Sequence, residues 1–569
     1  MKKIFCLILA LLMALSMTAC GETAEEAETP PAAEEPPVTA ALPTPEADSG
    51  DPDFALKLTD PEWVDQDTYY ELKNVPYCTN VVCEQYQYMN IYAPAEYFRG
   101  ESVNGYTAET APIVFINNCS GWMSSKPGGV NFDYVGEGFV FVNCGARSRD
   151  AGEYGKSPCA VVDQKSAIRT LRLNADVIPG DMDRIFSVGT SGGGQMSSIL
   201  GASGNMDEYY PYLYESGAPG VSYDEASGVY TSTIDDSIYG CMAYCPIADI
   251  NNADMAYAWM RYECGETGAT QMTGGTVEFN EFKLALQQDL AIAFCEYINN
   301  LGIEDAEGNV LSFDVVNGVP DPRSGSYYER TLENMSVALN ALLANCTKDD
   351  GSFSYQKSIG MGPKAQTVEY TSLEEYFASF TNLDQWLKQD ADGSYRVTDL
   401  TGFLLGTGLA RNKDIPGFDT FDRSAENNAF GASDEYAVHY SASVAAVLEA
   451  NYDKYSAMDG FDAQSVDEYI EEANREDIQL QTYLMNATHI MLNVAAGEEE
   501  ADLASYWRTR NGTADEHTSF SIAYNLCMAA GMAGAEGVDY SLVWDMPHSS
   551  DEGTSTGTYV EWIHSICGV

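Results

Sequence analysis

The stretch Arg184-Ile185-Phe186-Ser187-Val188-Gly189-Thr190-Ser191-Gly192-Gly193-Gly194 constrains the fold more than any other. It reads as a buried strand, a tight turn of small residues with Ser191 at its apex, and a helix beginning QMSSILGASG. That context suits a nucleophile elbow, G-x-S-x-G, which holds a serine hydroxyl exposed above a sheet. Small neighbours are needed because a larger Cβ would clash in so sharp a turn. The N–H of Gly192 then points where a tetrahedral oxyanion would form. A glycine-rich turn with an idle serine shares the five-residue pattern, but the strand before and the helix after favour Ser191 as nucleophile.

The N-terminus has Lys2 and Lys3, an apolar run from Ile4 to Met17, and then Thr18-Ala19-Cys20. This is the layout of a secretory signal peptide, too short for an ordinary spanning helix. Small residues directly before a cysteine resemble a bacterial lipobox, which would make Cys20 the lipidated first residue of the mature chain. Simple secretion with cleavage nearby is the alternative. Residues Gly21 to about Phe54 are rich in Glu, Ala, Pro and Thr and read as a disordered tether. The expectation is a domain held off the membrane by a lipid anchor, on the extracytoplasmic face.

The 86 acidic and 29 basic residues give a formal charge of −57. Such a balance argues against nucleic acid or anionic lipid as a partner. The cysteines beyond Cys20 are scattered without paired metal spacing, so neither zinc nor another cofactor is expected. Cys78 could bridge Cys83, and Cys241 could bridge Cys245; several others sit in apolar patterns where buried free thiols are the default.

Short apolar strands alternate with helices through YQYMNIYAP, APIVFINN, GFVFVNCGA, SPCAVVDQKSAIRTLRLNA and YGCMAYCPIAD. That rhythm implies a mostly parallel sheet covered on both faces. From about Asn251 to His439 amphipathic helices replace it, which reads as a helical lid inserted over the strand ends. The strand–helix rhythm returns near ATHIMLNVA and YWRTRNGTAD, then VDYSLVWDM and the helix TYVEWIHSIC. The expected organisation is signal 1–20, tether 21–57, core 58–250, lid 251–440 and core 441–569, an α/β-hydrolase fold.

A serine esterase needs a base, and the chain has five histidines. His439, His489 and His564 fall near the lid's end, in an apolar run and in the last helix. His517 stands two residues from an aspartate better suited as the acid. His548 follows the last strand, where the order Ser…Asp…His places its base. Asp515 ends the preceding strand and is the acid by topology; Asp545 and Asp551 read as solvated. A second oxyanion donor is expected from FINNCSGWM, as the N–H of Cys119 or Ser120.

These residues carry a family resemblance. FINNCSGWMSSKPGG, GFVFVNCGARSRD, the run from GKSPCAVV to GASGN, and AYCPIADINNADMAYAWM resemble bacterial tannases of the subtype B kind. ARNKDIPGFDTFDRSAENNAFG and YWRTRNGTADEHTSF are similar to that family's substrate-binding and acid segments. The resemblance implies hydrolysis of galloyl esters without a metal, with the triad on Ser191, Asp515 and His548. It also implies that Lys413 and Glu426 bind ring hydroxyls. The family's second binding aspartate would fall on position 517, where this chain has His517, which puts strict gallate specificity in doubt. The fungal pattern of cysteines beside the serine and histidine is absent, the neighbours being Thr190 and Ser549. The leading expectation is a lipid-anchored serine esterase acting on phenolic or similar esters. The rivals are an α/β-hydrolase esterase or peptidase of other specificity and a solute-binding lipoprotein.

Overall fold

A computed structural model describes residues 52–265, 267–269, 276–359, 366–549 and 558–568. The signal segment, Cys20 and the tether as far as residue 51 lie outside the described residues, as does Asp551. Two strands not anticipated from the sequence come first, β1 (Val64–Asp65) and β2 (Tyr69–Pro76), and the segments that read as short apolar strands follow as β3 (Tyr88–Pro94), β4 (Ile113–Asn117), β5 (Val140–Cys144) and β6 (Ile185–Thr190). They continue with β7 (Gly240–Tyr244), β8 (Tyr506–Gly512) and β9 (Gly537–Val543). The nine lie in the order β1-β2-β3-β5-β4-β6-β7-β8-β9. The edge from β1 through β3 to β5 is antiparallel, and every pairing from β5 to β9 is parallel.

β5 and β7 are buried at every residue, as expected of parallel strands covered on both faces. The covering helices include α1 (Cys159–Leu173) and α2 (Gly192–Ala202), the latter buried along its whole length. The parallel strands all end at one edge of the sheet, where ligand sites of open α/β folds gather. Ser191 and the loops after β4, β7, β8 and β9 meet there.

Between β7 and β8 the chain leaves the sheet. α3 (Ala253–Met260), α4 (Glu281–Leu301) and α5 (Ser326–Cys346) form its helical layer, with small two-stranded hairpins such as Tyr355–Ile359 with Gln366–Tyr370. Helix Ala442–Ala450 packs on α3 and α4, so this layer runs past the expected limit at 440. ATHIMLNVA, where the strand rhythm was expected to return, is a helix, α6 (Ala487–Ala496). The side chain of Asn486 accepts from the N–H of His489 and caps it, and Ala487, Ile490 and Met491 supply a helically spaced buried face. α6 packs against α2 and α7 (Phe520–Met532), and α8 (Tyr559–Cys567) closes the core.

The folded part begins before residue 58. Leu56 is buried, Lys57 Nζ donates to Leu173 O at 2.8 Å, and Leu58 N donates to Asn174 Oδ1 at 2.6 Å. The end of the expected tether is thus docked on the C-terminus of α1. The cysteines from Cys78 to Cys567 are all free thiols, including both pairs that sequence spacing left open. No helix among the described residues is long and apolar enough to cross a membrane.

Candidate active site

Ser191 sits between β6 and α2 at φ 61, ψ −122, a conformation that non-glycine residues rarely adopt. Its N–H donates to Tyr244 O at the end of β7 (2.9 Å), and its carbonyl receives Gln195 N (2.9 Å). The turn admits no side chain at either of two glycines: a Cβ on Gly189 would lie 2.2 Å from Gly193 O, and one on Gly192 would lie 2.5 Å from Cys119 O. The same close approach presses the loop after β4 onto the start of α2, whose first N–H groups have no intrahelical acceptor. In that loop Ser120 N donates to Asn118 O at 2.8 Å and Trp122 N to Cys119 O at 2.9 Å. The Ser120 N–H is therefore already engaged, and of the two expected donors only Cys119 N has no backbone acceptor among the described residues. Gly121 and Trp122 both take positive φ, 62 and 54, which turns the loop over Gly192.

Asp515 follows β8 and His548 follows β9. Their loops are zipped together by Thr513 N to Val543 O and Ala514 N to Met546 O, both 3.0 Å. His548 Nδ1 lies 2.9 Å from Asp515 Oδ2. The carboxylate also accepts His517 N (2.7 Å), Thr518 N (3.1 Å), Thr518 Oγ1 (2.7 Å) and Asn511 Nδ2 (3.3 Å). Burial opposes its ionisation, yet the charge and hydrogen bond of His548 hold Asp515 well below the usual carboxylate range. Burial likewise disfavours imidazolium at His548, but the Asp515 charge outweighs it and raises the ring's proton affinity. No hydrogen bond joins Ser191 Oγ to His548 among the described residues. His517 packs on His548 with ring centroids 4.8 Å apart and the rings tilted by 36°, and burial, then the His548 charge, pushes it down to about 3.

A sulfur-bearing neighbour of Asp515 and His548 escaped the sequence. Cys245, at the end of β7, comes within reach of Asp515 and His548, its thiol, a carboxylate oxygen and a ring nitrogen all within 4.8 Å of one another. The cysteines have no paired metal spacing along the chain, yet the fold gathers one of them with a histidine and a carboxylate. The cluster's members come from three strand ends far apart in sequence, so spacing along the chain could not reveal it.

Lys413 Nζ lies 3.4 Å from the ring centre of Phe418 and 4.9 Å from that of Tyr257. Tyr257 in turn donates to Glu516 O (3.0 Å), between Asp515 and His517 in the chain. Burial pushes Lys413 down to about 8 against the opposing charges of Glu426 and Asp254. Its segment is folded around two buried carboxylates. Asp254 accepts Phe418 N (2.7 Å) and Asp419 N (3.1 Å). Asp419 takes the N–H groups of Tyr440 and Ser441, the Asn427 amide and a ring nitrogen of His439 at 2.6–2.9 Å.

Glu426 lies in the turn Ala425–Ala429, which two cations of the core hold by its backbone. Arg149 Nε donates to Gly121 O (2.7 Å) and Nη1 to Ala425 O (3.2 Å), joining the loop after β4 to the Glu426 turn. Lys156 Nζ donates to Asn428 O (2.9 Å) and Phe430 O (2.8 Å). Neither residue carries a sequence signature of that role. On the other side, Asp545 is buried rather than solvated, which corrects the expectation. It accepts Lys357 Nζ and Tyr376 Oη, each at 2.6 Å, and Trp544 Nε1 donates to Tyr376 Oη at 2.8 Å. The inserted layer thus grips the loop that carries His548.

A family model described as BD-FAE matches residues 103–250. No curated protein matches. Among solved structures, the tannin acyl hydrolase of Lactobacillus plantarum is 26% identical, covering 89% of this chain and 97% of its own, with a TM-score of 0.65. A tannin acyl hydrolase in complex with ethyl gallate has the same identity and coverages and a TM-score of 0.67. The tannase of Fusobacterium nucleatum is 25% identical over 90% of this chain and 99% of its own, with a TM-score of 0.68. The fold is that of a tannase-like α/β-hydrolase, and the chain is a carboxylic ester hydrolase.

Proposed function

We propose that the chain cleaves galloyl or related phenolic esters through Ser191, His548 and Asp515 and an acyl-enzyme. The observation that carries the reading is the Asp515–His548 contact at 2.9 Å, beside a serine held at φ 61 at the same sheet edge. Ser191 Oγ attacks the ester carbonyl while His548 takes its proton. Asp515 fixes the ring through Nδ1 and stabilises the imidazolium that forms. The N–H groups of Gly192 and Cys119 receive the oxyanion. His548 then protonates the leaving alcohol, and water repeats the sequence on the acyl group.

Lys413 and Glu426 are assigned to the hydroxyls of the acyl ring, the ammonium donating and the carboxylate accepting. A neutral His517 against His548 supplies no carboxylate acceptor there, which supports a broader acyl preference than gallate alone. The segment through Cys20 supports an anchored, extracytoplasmic enzyme. Ser191→Ala tests the reaction: turnover on methyl gallate, methyl ferulate and nitrophenyl esters should fall about 10⁴-fold or more. Fluorophosphonate labelling should vanish with it. A folded variant that keeps near wild-type turnover refutes the assignment.

A further inference from the structure

β7 lies between the strand that leads to Ser191 and the strand that leads to Asp515, and Cys245 stands at its end. Its N–H donates to Arg510 O of β8 at 2.8 Å, its backbone holds φ 44, and its Sγ lies 3.4 Å from Ser549 O. Ester hydrolysis by the route above makes no use of this sulfur. Thiolate, imidazole nitrogen and carboxylate oxygen are nevertheless the three donor types that zinc takes. At metal–ligand lengths of about 2.0–2.3 Å, tetrahedral donors stand roughly 3.3–3.8 Å apart. The three atoms here are all within 4.8 Å of one another, so shifts of about an ångström enclose one ion. Their loops are tied by main-chain hydrogen bonds, which presents the donors together before any ion arrives. A net charge of −57 also concentrates cations around the molecule.

We propose that Cys245, Asp515 and His548 form an inhibitory site for a soft divalent cation such as zinc or cadmium. Binding needs only these three donors; its effect on activity rests on the triad reading. The Cys245 S–H bond breaks and its proton leaves to solvent. The His548 ring proton moves from Nδ1 to Nε2, and the ion bonds to Sγ, Nδ1 and an Asp515 oxygen, with water completing its shell. The charges of thiolate and carboxylate balance the ion. With Nε2 now protonated, the ring has no lone pair left to take the serine proton, and both acylation and phosphonylation of Ser191 stop.

The test uses the purified full chain and the metal alone. Zn²⁺ should inhibit wild type, and a chelator should restore it. In Cys245→Ser and Cys245→Ala the half-inhibiting concentration, read against each variant's own activity, should rise at least about tenfold. Cd²⁺ should give a thiolate–metal absorption band in wild type and in inactive Ser191→Ala, smaller by one thiolate in Cys245→Ser and weakened in His548→Gln. The band in Ser191→Ala separates the two readings, because it survives if the esterase assignment fails. Equal inhibition of wild type and the Cys245 variants, no inhibition of wild type by millimolar Zn²⁺, or no Cys245-dependent band each overturns the proposal.

Discussion

Lys357→Met should slow the enzyme without unfolding it, through the loop that ends in His548. The ammonium donates at 2.6 Å to Asp545, whose side chain is 6% exposed, while the Lys357 side chain is itself 21% exposed. A hydrogen bond between charged groups contributes about 1.5–3 kcal/mol, and this partly solvated one falls in the lower half of that range, about 2 kcal/mol. The remaining partners, Tyr376 Oη at 2.6 Å and the Thr513 hydroxyl that receives Asp545 N at 3.0 Å, stay in place. If the whole loss appears as displacement of the loop, the fraction with His548 in position falls by at most about 30-fold. We expect a drop of about tenfold in kcat with KM little changed, and the same drop in the rate of fluorophosphonate labelling. Tyr376→Phe, which also strands Trp544 Nε1, should act in the same direction. Steady-state kinetics on a nitrophenyl ester, with circular dichroism as the fold check, decides it. Folded Lys357→Met and Tyr376→Phe that both keep kcat within twofold of wild type refute the idea that the inserted layer positions His548.

His517→Asp should shift preference toward trihydroxylated acyl groups, measured as kcat/KM for the methyl esters of gallate, protocatechuate and benzoate; an unchanged order sinks the specificity argument. The same histidine contributes to pH stability. Burial holds it near 3 in the fold against an ordinary 6.5, so its contribution is complete above 6.5. As pH falls from 6.5 toward 3 the unfolded chain takes up a proton that the folded chain refuses, and stability declines. His517→Gln should therefore lose less stability than wild type between pH 6.5 and about 4 in urea unfolding, and an equal loss contradicts the assignment. Cys20→Ala should move the protein out of the membrane fraction at unchanged turnover; continued sedimentation with membranes rules out the lipid anchor.

The parallel strands and the elbow were legible because each is a local pattern: a run such as IFSVGT is buried on both faces, and the glycines of the turn admit no substitute. The placement of Asp515 and His548 at neighbouring strand ends was legible because chain order and strand order coincide at that side of the sheet. What escaped depends on contacts between distant segments. Arg149 and Asp545 look like any charged loop residue until the inserted layer is laid beside them. Cys245 looks like a buried strand thiol until β8 and β9 bring a carboxylate and an imidazole to it. ATHIMLNVA was misread for another reason, since a short apolar run fits either element, and the Asn486 cap decides it.

Arg149 and Lys156 hold the Glu426 turn by peptide oxygens, not by carboxylates. Every residue type offers the same carbonyl, so Ala425 and Asn428 can be exchanged without loosening that grip, provided the turn keeps its backbone path, whereas buried Phe430 also stacks on Tyr440. The attachment is independent of what the turn displays. A lineage can thus sample new side chains on this turn one substitution at a time while it stays tied to the loop after β4. For the engineer, Ala425 and Asn428 are the positions of this turn open to exchange, and Asn427, Phe430, Arg149 and Lys156 are the residues to leave alone.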